Sequence, residues 1–153
     1  MEKSVRMDEK KESLGEKILG IIEPPMEEVE VRRLNPLVLA YIGDAIFELY
    51  IRKYLILTQR TLVNQLHKKA TKYVRADAQS SIIHGIMEDL TEEEIIIVKR
   101  GRNTKTNTAP KNSSLLDYKY ATGFEALLGY HYLVGNQVRL KELISMAIIE
   151  AEN

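Results

Sequence analysis

The stretch NPLVLAYIGDAIFELYIRKYLI, residues 35–56, decides the fold. Asn35 is predicted to cap a helix, and Pro36 to occupy its first position, where a missing N–H costs nothing. The residues that follow are apolar almost all the way round the helix, which predicts burial on more than one side. Two carboxylates, Asp44 and Glu48, stand four residues apart in this run and share a face. An ionised carboxylate in a buried helix is costly unless it is paired or binds a metal.

A second helix of similar composition is predicted over residues 115–134. Glu125 is the lone acid in the middle of this helix, and Thr122 lies three residues earlier on the same face. Its small residues would let another backbone approach closely; they are Ala121, Gly123, Ala126 and Gly129. If the two buried helices pack against each other, their acids can point into one cleft, where Asp44 would meet Glu125. These acids could hold Mg²⁺, which suits oxygen ligands, or could be neutralised by arginine or lysine.

The rest of the chain also favours helices. Helical periodicity is present over residues 62–73 and 74–90, and the last helix is predicted over 138–151. The sequence TEEE at 91–94 is a capping box, and the helix that it begins is predicted to end at Gly101. No stretch shows the alternation of a strand, so the predicted fold class is all-α.

Charge is distributed unevenly along the 153 residues. The net charge is +0, yet residues 1–30 contain nine acids and five bases, so the remainder is mildly basic. Residues 1–26 are predicted to be an acidic leader, either frayed or with a short helix over 13–22. Residues 27–153 are predicted to form one domain.

Composition excludes several classes of protein. The absence of cysteine excludes disulfides and thiolate zinc sites, and is compatible with a cytosolic protein. The N-terminus lacks the apolar region of a signal peptide, and no segment is long and apolar enough to span a bilayer. We therefore expect a cytoplasmic protein without a membrane partner.

Three motifs together resemble the ribonuclease III family. They are GDAIFEL at 43–49, FEALLG at 124–129, and KRGRN at 99–103 with the polar, basic loop after it. Their order and spacing are most similar to the Mini-ribonuclease III branch, which is a catalytic domain alone. The resemblance covers about residues 35–150.

The resemblance implies a homodimeric, all-helical endonuclease domain without a double-strand RNA-binding domain. The implied activity is Mg²⁺-dependent hydrolysis of double-stranded RNA, with Mn²⁺ as a substitute, that leaves a 5′-phosphate and a 3′-hydroxyl. Asp44 and Glu125 match the catalytic metal ligands, and Glu48 and Thr122 form a second tier. The implied substrate is the precursor of large-subunit (23S) ribosomal RNA at its ends, and an accessory ribosomal protein is a further partner that this branch suggests.

The chain departs from the larger enzymes of the family at three positions. Those enzymes have acids where this chain has Leu37, Ala40 and Thr122. The reduced carboxylate set leaves open an alternative, a catalytically silent RNA- or ribosome-binding module on the same fold.

Two basic stretches are candidates for RNA contact. Residues 99–112 contain five bases and no acids, with short polar side chains between them, which suits phosphate and 2′-hydroxyl contacts. The second stretch, residues 67–75, carries Lys68, Lys72 and Arg75 on one face of a predicted helix. The alternative to RNA contact is a solvated loop for residues 99–112 and a solvated helix face for residues 67–75. The predicted RNA-binding residues are Arg100, Arg102, Asn103, Lys105, Thr106, Lys111, Asn112, Lys68 and Lys72.

The first helix also predicts the homodimer. Its apolar residues exceed what one buried stripe can accommodate, and an exposed apolar patch usually marks an interface. The residues assigned to this excess are Tyr41, Ile42, Ala45, Phe47, Leu49 and Tyr50.

Overall fold

The computed structural model describes residues 2–105 and 114–153, with side chains from residue 8 onward. Every regular element in these ranges is helical, which confirms the all-α prediction. No helix within them is both long and apolar enough to cross a membrane. The α-helices are α1 (Glu2–Ile22), α2 (Glu28–Arg33), α3 (Pro36–Gln59), α4 (Val63–Val74), α5 (Ala76–Ile86), α6 (Glu92–Asn103), α7 (Leu115–Val134) and α8 (Gln137–Glu152).

The two helices that carry the candidate acids have well-defined ends. The Asn35 side chain accepts a hydrogen bond of 2.8 Å from the N–H of Leu37, and Pro36 occupies the first position of α3, as predicted. Helix α7 begins after Ser114, whose hydroxyl oxygen accepts the N–H of Asp117, and ends at Gly135 with φ of 79°. Glycine adopts this left-handed conformation without the steric cost of a Cβ.

Helices α3 and α7 cross with their backbones in contact. A methyl group added to Gly43 would lie 1.7 Å from the carbonyl oxygen of Glu125, and one added to Gly129 would lie 1.9 Å from that of Leu39. Only glycine fits at either position. The close approach expected from the small residues of α7 is therefore present, and it explains why a buried helix tolerates Gly43 at a cost of about 1 kcal/mol relative to alanine.

A second glycine contact joins α6 to α7. A methyl group on Gly101 would lie 2.8 Å from the Cα of Gly123, and one on Gly123 would lie 2.6 Å from the carbonyl oxygen of Val98. The prediction that Gly101 ends α6 is wrong, because the helix continues to Asn103. Gly101 provides space for a neighbouring helix and does not serve as a cap.

Helix α7 lies at the centre of the core, where it packs against α3, α5, α6 and α8. Phe47 and Phe124 are fully buried and meet edge to face, with ring centroids 5.1 Å apart. The assignment of Phe47 to an external interface is therefore wrong, because its side of α3 faces α7. By contrast, Tyr41 and Leu49 are 82% and 63% exposed, and Ala45 between them is also exposed.

A buried ionic network joins α6, α7 and α8. The Glu94 carboxylate completes the predicted capping box with Thr91. It also accepts hydrogen bonds from Arg139 at 2.8 and 3.0 Å and lies 2.7 Å from Nε2 of His131. Burial alone would raise the pKa of Glu94, but the hydrogen bonds from Arg139, Thr91 and His131 outweigh it, so this pKa falls to about 2.

The network predicts a loss of stability in acid. Because the folded-state pKa of Glu94 is lowered from 4.5 to about 2, its stabilising contribution is complete above pH 4.5 and is lost as the pH falls towards 2. We expect Glu94→Gln to destabilise the neutral protein by roughly 3–5 kcal/mol, since it removes the buried carboxylate that Arg139 and His131 share and leaves Arg139 only the exposed Glu142 as a charge partner. Urea unfolding across this pH range measures both effects. Glu92→Gln, an exposed change in the same turn, is the control, and equal pH dependence in both variants would contradict the assignment.

Helix propensity alone predicts that replacing a helical glycine by alanine stabilises a protein. The glycine contact between α3 and α7 predicts the opposite for Gly129. Gly129→Ala should lower the free energy of unfolding by about 1–3 kcal/mol, as overpacking usually does. Gly20→Ala in α1 is the matched control, because nothing lies within 4 Å of its added methyl group. That variant should be neutral or more stable by up to about 1 kcal/mol. Thermal unfolding distinguishes them, and similar midpoints would argue against a tight crossing.

Candidate active site

The two predicted acids meet where α3 crosses α7. Asp44 follows Gly43, the residue whose Cα faces the carbonyl oxygen of Glu125. The crossing therefore brings a side chain from each helix to the same point. Asp44 is exposed to solvent, whereas Glu125 is largely enclosed, so the pair forms a site with one open side.

Its buried position and the neighbouring Asp44 carboxylate strongly perturb Glu125. Burial, a hydrogen bond with Asp44 and the negative charge of Asp44 together raise the pKa of Glu125 from 4.5 to about 9. Two carboxylates that share a site cannot both ionise cheaply, and the raised pKa means that Glu125 retains its proton at neutral pH. A cation at this point would replace that proton and relieve the repulsion.

The donor set fits a hard divalent cation that retains much of its water. Within residues 2–105 and 114–153, no group of three or more histidine, cysteine, aspartate or glutamate side chains is positioned to hold a metal. The site therefore offers two carboxylates, Asp44 and Glu125. Mg²⁺ is commonly bound through one or two carboxylates, with water and substrate phosphate as further ligands, so the residues fit such an ion.

The second-tier residues have other partners. The Glu48 carboxylate pairs with Arg52 on the same helix at 2.8 Å. The hydroxyl of Thr122 is buried and donates to the carbonyl oxygen of Tyr118 at 3.0 Å. Neither side chain is hydrogen bonded to Asp44 or Glu125, so their participation stays a prediction.

The basic residues at the end of α6 are partly engaged in structural contacts. Arg100 is exposed, but one of its nitrogens donates to the carbonyl oxygen of Arg32 at 3.1 Å. Arg102 lies over the ring of Tyr120, 5.5 Å from its centroid, and donates to the side-chain oxygen of Asn103 at 3.0 Å. Lys105 is exposed.

Other predicted RNA contacts lie elsewhere. Lys68 and Lys72 are exposed on α4, which packs against α3, α5 and α8. Thr106, Lys111 and Asn112 fall outside the described residues.

Sequence reasoning missed the support that holds Arg102. The ring centroid of His84 on α5 lies 4.2 Å from that of Tyr120, with the ring planes tilted by 48°, and the Arg102 guanidinium lies over the same Tyr120 ring. The three side chains come from three helices, so no local pattern could have associated them. Their arrangement fixes one cation beside the beginning of α7, the helix that carries Glu125.

Comparison with known proteins identifies the family. The family model for the ribonuclease III domain matches residues 37–136, the part of the chain that contains both acids and the end of α6. Among curated proteins, Mini-ribonuclease 3 of Clostridium tetani is 52% identical over 120 residues, which covers 78% of this chain and 80% of that protein. Mini-ribonuclease 3 of Enterococcus faecalis is 49% identical over 121 residues, with 78% and 92% covered.

A solved structure agrees with these relatives. The X-ray crystal structure of a Fusobacterium nucleatum protein superposes with a TM-score of 0.71 at 38% sequence identity, and the match covers 81% of this chain and 98% of that one. The fold, the three motifs and the relatives therefore all indicate the same family. The chain belongs to the ribonuclease III family and is an endoribonuclease.

Proposed function

We propose that this endoribonuclease hydrolyses double-stranded RNA with Mg²⁺ held by Asp44 and Glu125, and leaves a 5′-phosphate and a 3′-hydroxyl. The observation that carries the proposal is the meeting of two carboxylates from different helices at one partly open point, where the pKa of Glu125 is raised to about 9. Such a perturbed pair is typical of functional sites.

The different positions of Glu125 and Asp44 give the two acids different roles in this proposal. Glu125, enclosed beside the helix crossing, holds one oxygen ligand at a fixed place, while exposed Asp44 presents the other towards solvent and substrate. When bound there, Mg²⁺ supplies an activated water and neutralises charge that develops on the leaving oxygen. With two protein carboxylates, RNA phosphate and water would complete the ligand set.

Removing either carboxylate should abolish cleavage. Asp44→Asn and Glu125→Gln keep side-chain volume but remove charge that would hold the cation, so we expect activity to fall on the order of 10²–10⁴-fold. Cleavage of labelled duplex RNA, with and without chelator, measures the effect. Glu48→Gln on α3 tests the second tier, and we expect a smaller loss of activity because the Glu48 carboxylate pairs with Arg52.

Two results would contradict this assignment. Near-normal turnover by Asp44→Asn or Glu125→Gln would place the metal elsewhere. Absence of chelator-sensitive cutting by the unaltered protein, across several duplexes, would instead favour a silent RNA-binding module.

The basic residues near the end of α6 provide a phosphate-binding surface in this proposal. Replacement of Arg100, Arg102, Lys105 and Lys111 by alanine should weaken duplex binding. Each lost phosphate contact should make the log–log dependence on salt shallower by about 0.7–0.9. Titrations at several salt concentrations test this, with Lys53→Ala and Lys141→Ala as controls. An unchanged slope would place the RNA on another surface.

We further propose a homodimer formed through the exposed side of α3. Tyr41, Ala45 and Leu49 lie four residues apart on one side of this helix and are exposed, so they form an apolar stripe that a second copy could cover. Duplex RNA has two strands related by local twofold symmetry. A twofold dimer presents two equivalent sites, and each would cut one strand.

Charge on this stripe should dissociate the dimer. Leu49→Glu is expected to give a monomer and to lose coordinated cutting of both strands, whereas Val138→Glu, which alters an equally exposed apolar residue on α8, should not. Light scattering and duplex cleavage provide the two measurements. An unaltered protein that is monomeric at micromolar concentration, yet cuts both strands together, would refute the proposed dimer.

The finer assignments are also proposals supported by the resemblance. The expected substrate is the precursor of 23S ribosomal RNA, cut near its ends in the cytoplasm, with an accessory ribosomal protein as a further partner. Residues 27–153 would form the catalytic domain and residues 1–26 a separate leader. Mapping the ends of 23S ribosomal RNA in cells that lack the protein tests the substrate.

A further inference from the structure

We infer that Tyr120 and His84 are positioning residues that hold the Arg102 guanidinium in place to bind a phosphate of duplex RNA. The inference rests on the proposed function, in which the end of α6 contacts the RNA backbone. It assigns roles to two residues, one on α7 and one on α5, that the proposed function does not use. Its basis is the set of contacts around Arg102, the charge balance there, and the way that three helices meet at this point.

The Arg102 side chain is held by neutral groups. Its guanidinium carbon lies 5.5 Å from the centre of the Tyr120 ring, which is within the range of a cation–π contact. An Nη1 N–H donates to the Tyr120 hydroxyl oxygen at 3.4 Å, and the Nε N–H donates to the side-chain oxygen of Asn103 at 3.0 Å. Because these contacts already restrict the arginine, a phosphate would bind it at a smaller entropic cost than it would bind an unrestrained side chain.

The charge of Arg102 is not balanced in the way that other buried charge in this protein is. Among the described side chains, the half-buried arginines are Arg102 and Arg139, and Arg139 pairs with the buried Glu94 at 2.8 Å. No carboxylate in the described part of the chain forms an ion pair with Arg102, although Asp117 is nearby in the first turn of α7. Residues 106–113 contain no acid. Since a partly buried cation is costly without a partner, the arrangement suits an anion from outside the chain.

His84 supports the Tyr120 ring from the side of α5. The two ring centroids are 4.2 Å apart, and the ring planes are tilted by 48°. Nδ1 of His84 lies 2.7 Å from the carbonyl oxygen of Ser80. A carbonyl oxygen can only accept, so Nδ1 carries a proton and donates it, which fixes the orientation of the imidazole on its own helix. Two aromatic rings therefore connect the backbone of α5 to the guanidinium at the end of α6.

The close contact between α6 and α7 sets the distance between Arg102 and Tyr120. Gly101 precedes Arg102, and a methyl group added to Gly101 would lie 2.8 Å from the Cα of Gly123. Gly123 follows Tyr120 by three residues, so both are on neighbouring positions of one side of α7. The touching backbones thus hold the guanidinium beside the ring.

The cluster of Arg102, Tyr120 and His84 faces away from the candidate metal-binding acids. Tyr120 precedes Glu125 by five residues, which places it about 140° round α7 and about 7.5 Å along its axis. Arg102 would therefore bind a phosphate other than the one that is cut beside Asp44 and Glu125. Its role in this inference is to hold the RNA, so its loss should change KM more than kcat.

A double-mutant cycle tests whether Tyr120 acts through Arg102. Tyr120→Leu removes the ring and should weaken duplex binding about two- to fivefold, the size of one exposed cation–π contact. Arg102→Ala should weaken binding and make the log–log dependence on salt shallower by about 0.7–0.9. In the Arg102→Ala background, Tyr120→Leu should have no further effect on binding. Tyr120→Phe keeps the ring and should bind almost as well as the unaltered protein, and Tyr132→Leu, at the other end of α7, is the matched control.

His84 provides a second pair of variants, which is needed because Tyr120 also packs against the core and its replacement lowers stability. His84→Phe keeps an aromatic ring beside Tyr120 and should retain duplex binding, whereas His84→Ala removes the ring and should reproduce part of the loss. In duplex cleavage, Tyr120→Leu and His84→Ala should raise KM several-fold while kcat changes by less than about twofold. Each variant is assayed well below its own thermal midpoint.

The outcomes separate this inference from the function on which it rests. An unaltered protein that binds no duplex RNA refutes the proposed function and the inference with it. If the unaltered protein binds, an unchanged salt dependence in Arg102→Ala refutes the inference alone, as does an equal effect of Tyr120→Leu with and without Arg102. Inorganic phosphate is the second probe. If it raises the thermal midpoint of the unaltered protein but not that of Arg102→Ala, and both bind duplex RNA equally, the site takes free phosphate and the assignment to RNA is wrong.

Discussion

The contact between the backbones of α3 and α7 is the constraint on which the rest of the structure depends. Gly43 and Gly129 allow each helix to touch a carbonyl oxygen of the other. That approach brings Asp44 to Glu125 and lets Phe47 meet Phe124 in the core. The core and the candidate site therefore both require the close contact between α3 and α7. A substitution that separates these helices would disturb the packing of Phe47 on Phe124 and the pairing of Asp44 with Glu125.

The features predictable from sequence are those specified locally. The cap at Asn35, the capping box at Thr91 and the bounds of α7 follow from residue types near each helix end. The meeting of Asp44 with Glu125 was one of two predictions that the residues allowed, the other being neutralisation of each acid by arginine or lysine. Helix α1 extends well beyond the predicted 13–22, since its first half has little apolar periodicity to indicate a helix.

The remaining features depend on which helices become neighbours. Gly101 has the sequence context of a helix end, yet its role is set by Gly123 on another helix. Phe47 lies on a helix that is apolar on every side, so its pattern cannot show which side faces α7. Glu94 was identified as a cap, but its ionic partners Arg139 and His131 are distant in sequence and carry no local signal.

The crossing of α3 with α7 also bears on how the chain folds. All-helical domains usually fold quickly, because most of their contacts join residues close in sequence. Here the most intimate contact joins Gly43 to Glu125, about 80 residues apart, so a long loop that includes α4, α5 and α6 must close before it forms. We therefore expect the closure of this loop to slow folding relative to a helical bundle whose contacts are all local.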